Sequence, residues 1–130
     1  AAVLQLIFLL IKMYPSREIV SSPDREQLKE VLQEISVKSS ENLSVADMAK
    51  FCGWSSSHFM RWFKKMTGDS FTSYVNDRRL AEAAEALRQT DDKILTISQD
   101  AGFMNLSNFN RQFKKRYGVT PREYREMIGI

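Results

Sequence analysis

Residues 59–68 read FMRWFKKMTG, and residues 109–118 read FNRQFKKRYG. Both carry the pattern Phe-x-x-x-Phe-Lys-Lys-x-x-Gly, and the copies stand fifty residues apart. A glycine-aromatic pair, Gly53-Trp54 and then Gly102-Phe103, precedes each copy by a few residues. Repetition at this fidelity marks one structural unit used twice. Two phenylalanines four apart fall on one face of a helix, while the cations between and after them occupy another. Each unit is therefore two helices around a glycine-marked turn, with a basic face on the second helix.

Composition sets the frame. A chain of 130 residues, 43% hydrophobic and 27% charged, is an ordinary globular sequence with room for one or two small cores. The net charge of +3 is too small to argue for nucleic acid by itself. The placement of charge is more informative: Arg61, Lys64 and Lys65 in one copy, Arg111, Lys114, Lys115 and Arg116 in the other. One basic run is usually a solvated helix face, but two at the same place in two copies point to phosphate binding. The single cysteine, Cys52, sits at an apolar position before a turn glycine and reads as a small core residue. With no disulfide possible within the chain, a reducing cytoplasm suits it. Residues 3–11, VLQLIFLLI, fall well short of the roughly 20 residues a membrane span requires. They also lack the flanks of a signal peptide.

The periodicity predicts helices throughout and no strand. Residues 1–14 read as an apolar helix that needs burial in another domain or chain, followed by a polar linker over 15–23. Ser22-Pro23 forms a helix start, with Ser22 as cap, and Leu28, Val31, Leu32 and Ile35 recur at helical spacing over 23–37. Ser44 begins a capping box with Asp47, and the helix it opens runs to Cys52 and stops at Gly53. Ser55 caps a helix to Thr67 whose buried stripe is Phe59, Phe63 and Met66, leaving Trp62 at the rim. Residues 70–88 form a long alanine-rich helix of roughly 27 Å. That is close to one turn of DNA, about 34 Å, so it suits a rigid spacer. A second unit follows over 94–117, with Ile94, Ile97 and Ala101 buried, Gly102 at the turn and Asn105 as the cap. Thr120-Pro121-Arg122-Glu123 opens a last helix, with Tyr124 folding back onto the core. The expected fold is all-α: about seven helices, two helix-turn-helix subdomains (about 44–67 and 94–117) on a linker helix (about 70–88). Residues 1–22 would be the helical remnant of an upstream domain, and 23–130 the folded module.

Residues 43–125 resemble the DNA-binding domain of AraC/XylS-type bacterial transcription regulators. The resemblance rests most on Gly102-Phe103, Ser107, Phe109, Phe113-Lys114, Gly118-Val119-Thr120-Pro121 and Tyr124-Arg125. The first unit adds Leu43-Ser44, Ala49, Ser55, Arg61, Phe63-Lys64-Lys65 and Gly68, and the spacer adds Tyr74, Asn76, Arg79, Leu80, Ala83 and Leu87. Two positions depart from the family pattern. Ser98 replaces an alanine, and its hydroxyl is expected to bond the carbonyl four residues back. Lys93 replaces a small polar cap. The resemblance implies two recognition helices in successive major grooves, contact with RNA polymerase at promoters, and activation as the commoner mode. It also implies a preceding sensor domain that binds a small effector and dimerises.

A helix fits the major groove, and side chains in its first turns reach base edges. The base-reading candidates are Ser56, Ser57, Met60 and Arg61 in the first unit, and Leu106, Ser107, Asn108 and Arg111 in the second. Arginine pairs with guanine, asparagine with adenine, and Met60 or Leu106 meets thymine methyls. Peripheral packing is the alternative for Met60 and Leu106, and an intramolecular ion pair the alternative for the arginines. Ser44, Lys64, Lys65, Lys114, Lys115 and Arg116 are the phosphate candidates. Arg79 is expected to tie the spacer to the units. His58 lacks companions for a metal site, and no motif suggests a cofactor or catalysis. Competing classes are a sequence-blind architectural DNA binder, which would need only the lysines, and a helical protein-interaction module, which leaves the duplicated lysine pairs unexplained.

Overall fold

The computed structural model describes residues 3–5, 7 and 22–128, and every regular element among them is a helix. In chain order these are α1 (Ser22–Lys38), α2 (Val45–Cys52), α3 (Ser56–Thr67), α4 (Phe71–Gln89), α5 (Ile94–Asp100), α6 (Leu106–Tyr117) and α7 (Pro121–Ile128). Val3–Gln5 and Ile7 are helical. The rest of the expected 1–14 helix, the linker and the capping role of the Ser22 side chain lie outside the described residues.

Two cores form, one per unit. The first collects Val31 and Ile35 of α1, Met48 and Ala49 of α2, Phe59, Trp62 and Phe63 of α3, and Phe71 and Val75 of α4. The second collects Leu80, Ala83, Ala84 and Leu87 of α4, Ile97 of α5, Ala101, Phe103, and Phe109 and Phe113 of α6. The spacer helix α4 thus gives its N-terminal half to one core and its C-terminal half to the other. The small Ala83 and Ala84 let the second unit pack close against it. Phe59, Phe63, Phe109 and Phe113 are fully buried, and burying a side chain of this size is worth about 1.5–3 kcal/mol. The rings interlock edge to face: Phe63 meets Phe71 at 5.6 Å and Tyr74 at 5.4 Å, and Phe113 meets Tyr124 at 5.3 Å.

The helix ends obey their local chemistry. Ser44 and Asp47 form the reciprocal capping box, and Gly53 turns into the left-handed region at φ 74°. Ser55, Ser70 and Asn105 cap α3, α4 and α6. Thr120 and Glu123 cap α7 reciprocally, both bonds at 3.1 Å. Lys93 offers no side-chain cap to α5.

Two expectations need correction. Ser98 Oγ donates to the carbonyl of Leu95 at 2.7 Å, three residues back and not four; a helical serine hydroxyl reaches either carbonyl, and here it takes the nearer one. Trp62 is not a rim residue. Its ring is 9% exposed within the first core, and its Nε1 donates to Asp24 Oδ1 of α1 at 3.4 Å. Helix α1 covers the position that the α3 periodicity alone leaves at the edge.

One side chain fastens the halves together. Arg79, midway along α4, donates from Nε to the Ser39 carbonyl and from Nη2 to the Glu41 carbonyl, each at 2.5 Å. Ser39 Oγ donates to Glu82 Oε1 at 2.9 Å, and Arg78 Nη2 reaches Ser36 Oγ at 2.7 Å. Burial pushes the Arg79 pKa down, with Glu82 opposing that shift. At the far end of α4, Arg125 of α7 donates to the carbonyls of Leu87, Thr90 and Asp92 at 3.3, 3.0 and 2.6 Å. Helix C-termini leave carbonyls without intrahelical partners, and one guanidinium satisfies those of Leu87 and Thr90 together with the loop carbonyl of Asp92.

Candidate nucleic-acid interface

Burying Phe59, Trp62 and Phe63 turns the opposite face of α3 outward, and Ser56, Ser57, Met60, Arg61, Lys64 and Lys65 are all exposed. Met60 is 46% exposed, a large apolar side chain left in solvent beside polar neighbours. Among the described residues no carboxylate pairs with Arg61, Lys64 or Lys65. The helix starts cleanly, because Ser55 Oγ accepts from the His58 backbone at 3.2 Å. His58 itself lies flat on Trp54, centroids 4.4 Å apart, and so serves the turn.

Helix α6 repeats the arrangement. Phe109 and Phe113 are buried, while Ser107, Arg111, Lys114, Lys115 and Arg116 are exposed. Asn105 Oδ1 accepts from the Asn108 backbone at 2.7 Å and sets the helix start. The remaining candidates differ in how far they are committed elsewhere. Leu106 is half-buried and packs on the second core. Asn108 is half-buried, and its Oδ1 accepts from Arg111 Nη2 at 2.8 Å. Arg116 pairs loosely with Asp77 of α4 at 3.8 Å, with its guanidinium 5.4 Å from the Tyr117 ring. Ser44, exposed at the start of α2, donates to Asp47 Oδ2 at 2.8 Å and accepts from the Asp47 backbone at 3.0 Å.

The repeat also exposes a residue that the sequence reading passed over. Aligning Phe59 with Phe109 pairs Ser57 with Ser107, Met60 with Asn110 and Arg61 with Arg111. Asn110 is exposed, as Met60 is. The motif register alone was the signal that would have found it. The same alignment pairs Trp62 with Gln112. Where the tryptophan fills a core, Gln112 accepts from Asn76 Nδ2 of α4 at 3.3 Å.

Among the described residues no three of His, Cys, Asp and Glu gather as metal ligands. Cys52 is part-buried beside Gln27, whose Nε2 donates to its sulfur at 3.4 Å. Burial pushes its thiol pKa up, away from the thiolate a nucleophile needs. No helix among the described residues is long and apolar enough to cross a membrane. What α3 and α6 offer is a pair of convex, cationic helix faces with arginines and small polar groups in their first turns. That chemistry recognises base edges flanked by phosphates.

Comparison with known proteins agrees. A helix-turn-helix domain family matches residues 48–127. The chain is 32% identical over 130 residues to the regulatory protein PocR of Salmonella typhimurium, a match covering 95% of this chain and 43% of that protein. The chain thus spans less than half of that relative's length. It is 37% identical over 93 residues to the probable transcription factor PqrA of Proteus vulgaris, covering 72% of this chain and 76% of that one. Among solved structures, a transcriptional regulator from Chromobacterium violaceum with an AraC-type DNA-binding domain matches at TM-score 0.75 and 28% identity, covering 84% of this chain and 97% of that one. With its two helix-turn-helix units, its twin cationic recognition helices and these relatives, the chain belongs to the AraC-type helix-turn-helix family of DNA-binding transcription regulators.

Proposed function

We propose that the chain reads a bipartite operator in promoter DNA and activates transcription there. Ser56, Ser57, Met60 and Arg61 of α3 meet base edges in one major groove, and Ser107, Asn108 and Arg111 of α6 meet those in the next, with Leu106 at the edge of that contact. Lys64, Lys65, Lys114 and Lys115 hold phosphates where each helix climbs out of its groove, and the α2 start at Ser44 adds another. Arg116 joins them by exchanging its exposed pair with Asp77 for a phosphate, since such a pair is worth under about 1 kcal/mol.

The carrying observation is the duplicated solvent-facing arginine, Arg61 and Arg111, one per recognition helix, neither paired with a carboxylate among the described residues. Residues 1–22 belong in this reading to the end of an upstream domain that binds a small effector and dimerises, and 23–130 to the DNA-binding module. RNA polymerase is the protein partner, and the cytoplasm is where the chain works. The test is selection of this chain's ligands from random duplex DNA near physiological salt. Two enriched half-motifs about one helical turn apart are expected. Salt-sensitive binding without enrichment would replace this reading with a sequence-blind DNA binder.

A further inference from the structure

Asparagine is the residue best suited to adenine, which it grips bidentately at N6 and N7. Two asparagines stand in the first turns of α6, Asn108 and Asn110, and the structure separates their roles. Asn108 is half-buried, and its Oδ1 already accepts from Arg111 Nη2 at 2.8 Å. Its counterpart in the first unit is His58, which is stacked on Trp54 and faces the turn. Asn110 is exposed and makes no side-chain hydrogen bond among the described residues. It directly precedes Arg111 and lies three residues after Ser107, exposed on the flank of α6 beside the buried Phe109 and Phe113. Its counterpart is Met60, exposed in the same register before Arg61.

We infer that Asn110 is the adenine-reading residue of the second unit, that Asn108 positions Arg111, and that the two half-sites therefore differ at one equivalent step. This inference rests on the DNA-reading function proposed above and refines it at one residue: Asn108 acts on the bases through Arg111 and not directly. In both units the arginine reads guanine. Beside it the first unit presents the Met60 thioether, which suits a thymine methyl, and the second presents the Asn110 amide, which suits adenine. A thymine methyl takes only apolar contact, whereas adenine in the major groove supplies one donor and one acceptor that the amide matches in one plane. Asn108, held against the guanidinium, fixes the rotamer of Arg111 before DNA arrives.

The test repeats the random-duplex selection with the wild-type chain, Asn110→Ala, Asn108→Ala and the exchange variant Asn110→Met. All three substitutions fall on exposed or half-buried positions outside both cores. In Asn110→Ala the adenine preference at one step of the second half-site should fall about tenfold or more, a loss typical of one bidentate pair. The guanine preference should remain. Asn110→Met should exchange that adenine for thymine. Asn108→Ala should keep the adenine and weaken discrimination for guanine. Enriched half-motifs that Asn110→Ala leaves unchanged at every position would overturn the inference while preserving the proposed function. So would loss of the adenine in Asn108→Ala alone. Absence of any motif with the wild-type chain would remove the proposed function, and this inference with it.

Discussion

A Cβ built on Gly102 would stand 2.8 Å from the carbonyl oxygen of Ser40 and 3.1 Å from Arg79 Nε. The turn of the second helix-turn-helix therefore rests directly on the loop that connects α1 to α2 in the first. Because Arg79 grips the same loop, three segments meet at one point.

Gly102→Ala meets two penalties. Its φ of 98° is a conformation that L side chains rarely adopt, and the obstructing atom is backbone, which cannot swing away. Gly118, at φ 81°, has nothing within 4 Å of its would-be Cβ and serves as the control. Left-handed backbone alone costs an L-residue roughly 1–2 kcal/mol. Urea unfolding should show Gly118→Ala losing about that much and Gly102→Ala losing clearly more. Equal losses would mean the Ser40 contact yields freely.

Arg125→Ala strips the partner from three carbonyls at the end of α4 and in the loop that follows it. Hydrogen bonds to a charged donor contribute about 1.5–3 kcal/mol each, less where water replaces the donor. Unfolding should show a loss of about 2–3 kcal/mol. Arg122→Ala, whose pair with Glu126 is largely exposed, should change stability by less than about 0.5 kcal/mol.

Lys65 stands exposed on α3, with no carboxylate in pairing range among the described residues. If it meets a phosphate, Lys65→Ala should reduce the slope of log affinity against log salt by about one and weaken binding to all sequences alike. An unaltered slope would remove it from the interface.

Much of this was legible in the chain. The capping residues Ser44, Ser55, Asn105 and Thr120 act through backbone only three residues away, so the sequence is sufficient to place them. The buried phenylalanines follow from helical spacing alone. Trp62 did not, because its cover is Asp24 and α1, distant in sequence and close only after folding. For Ser98 the third and fourth preceding carbonyls are both within reach of the hydroxyl, so spacing alone does not select Leu95. The division between Asn108 and Asn110 is likewise a side-chain hydrogen bond that no periodicity reports. Arg79 was legible as structural, but its partners, two carbonyls in another unit's loop, were not.

Glu123 gives a pH signature. Its carboxylate accepts from the Thr120 backbone and bonds the Thr120 side chain, and these hold its pKa below the usual glutamate value. A carboxyl depressed in the folded state adds stability that is present above its unfolded pKa and is lost as pH falls through the folded one. The melting temperature of the native chain should therefore drop more steeply than that of Glu123→Gln as pH falls below the ordinary glutamate range. Parallel curves would mean the capping box carries no charge-dependent stability.

In the proposed function two rigidly spaced helices, α3 and α6, read two successive major grooves. Helix α4 spans 19 residues, about 28 Å of rise, and its two halves are packed into the two cores, which fixes the reach of the protein. The most direct measurement is affinity for the selected operator with zero, five or ten base pairs inserted between its half-motifs. A single maximum is expected at the natural spacing, with a sharp fall at five and no recovery at ten, where the second groove returns to the same face but lies about 34 Å further on. Affinity indifferent to the insertions would contradict it, because one helix alone would then be reading the DNA.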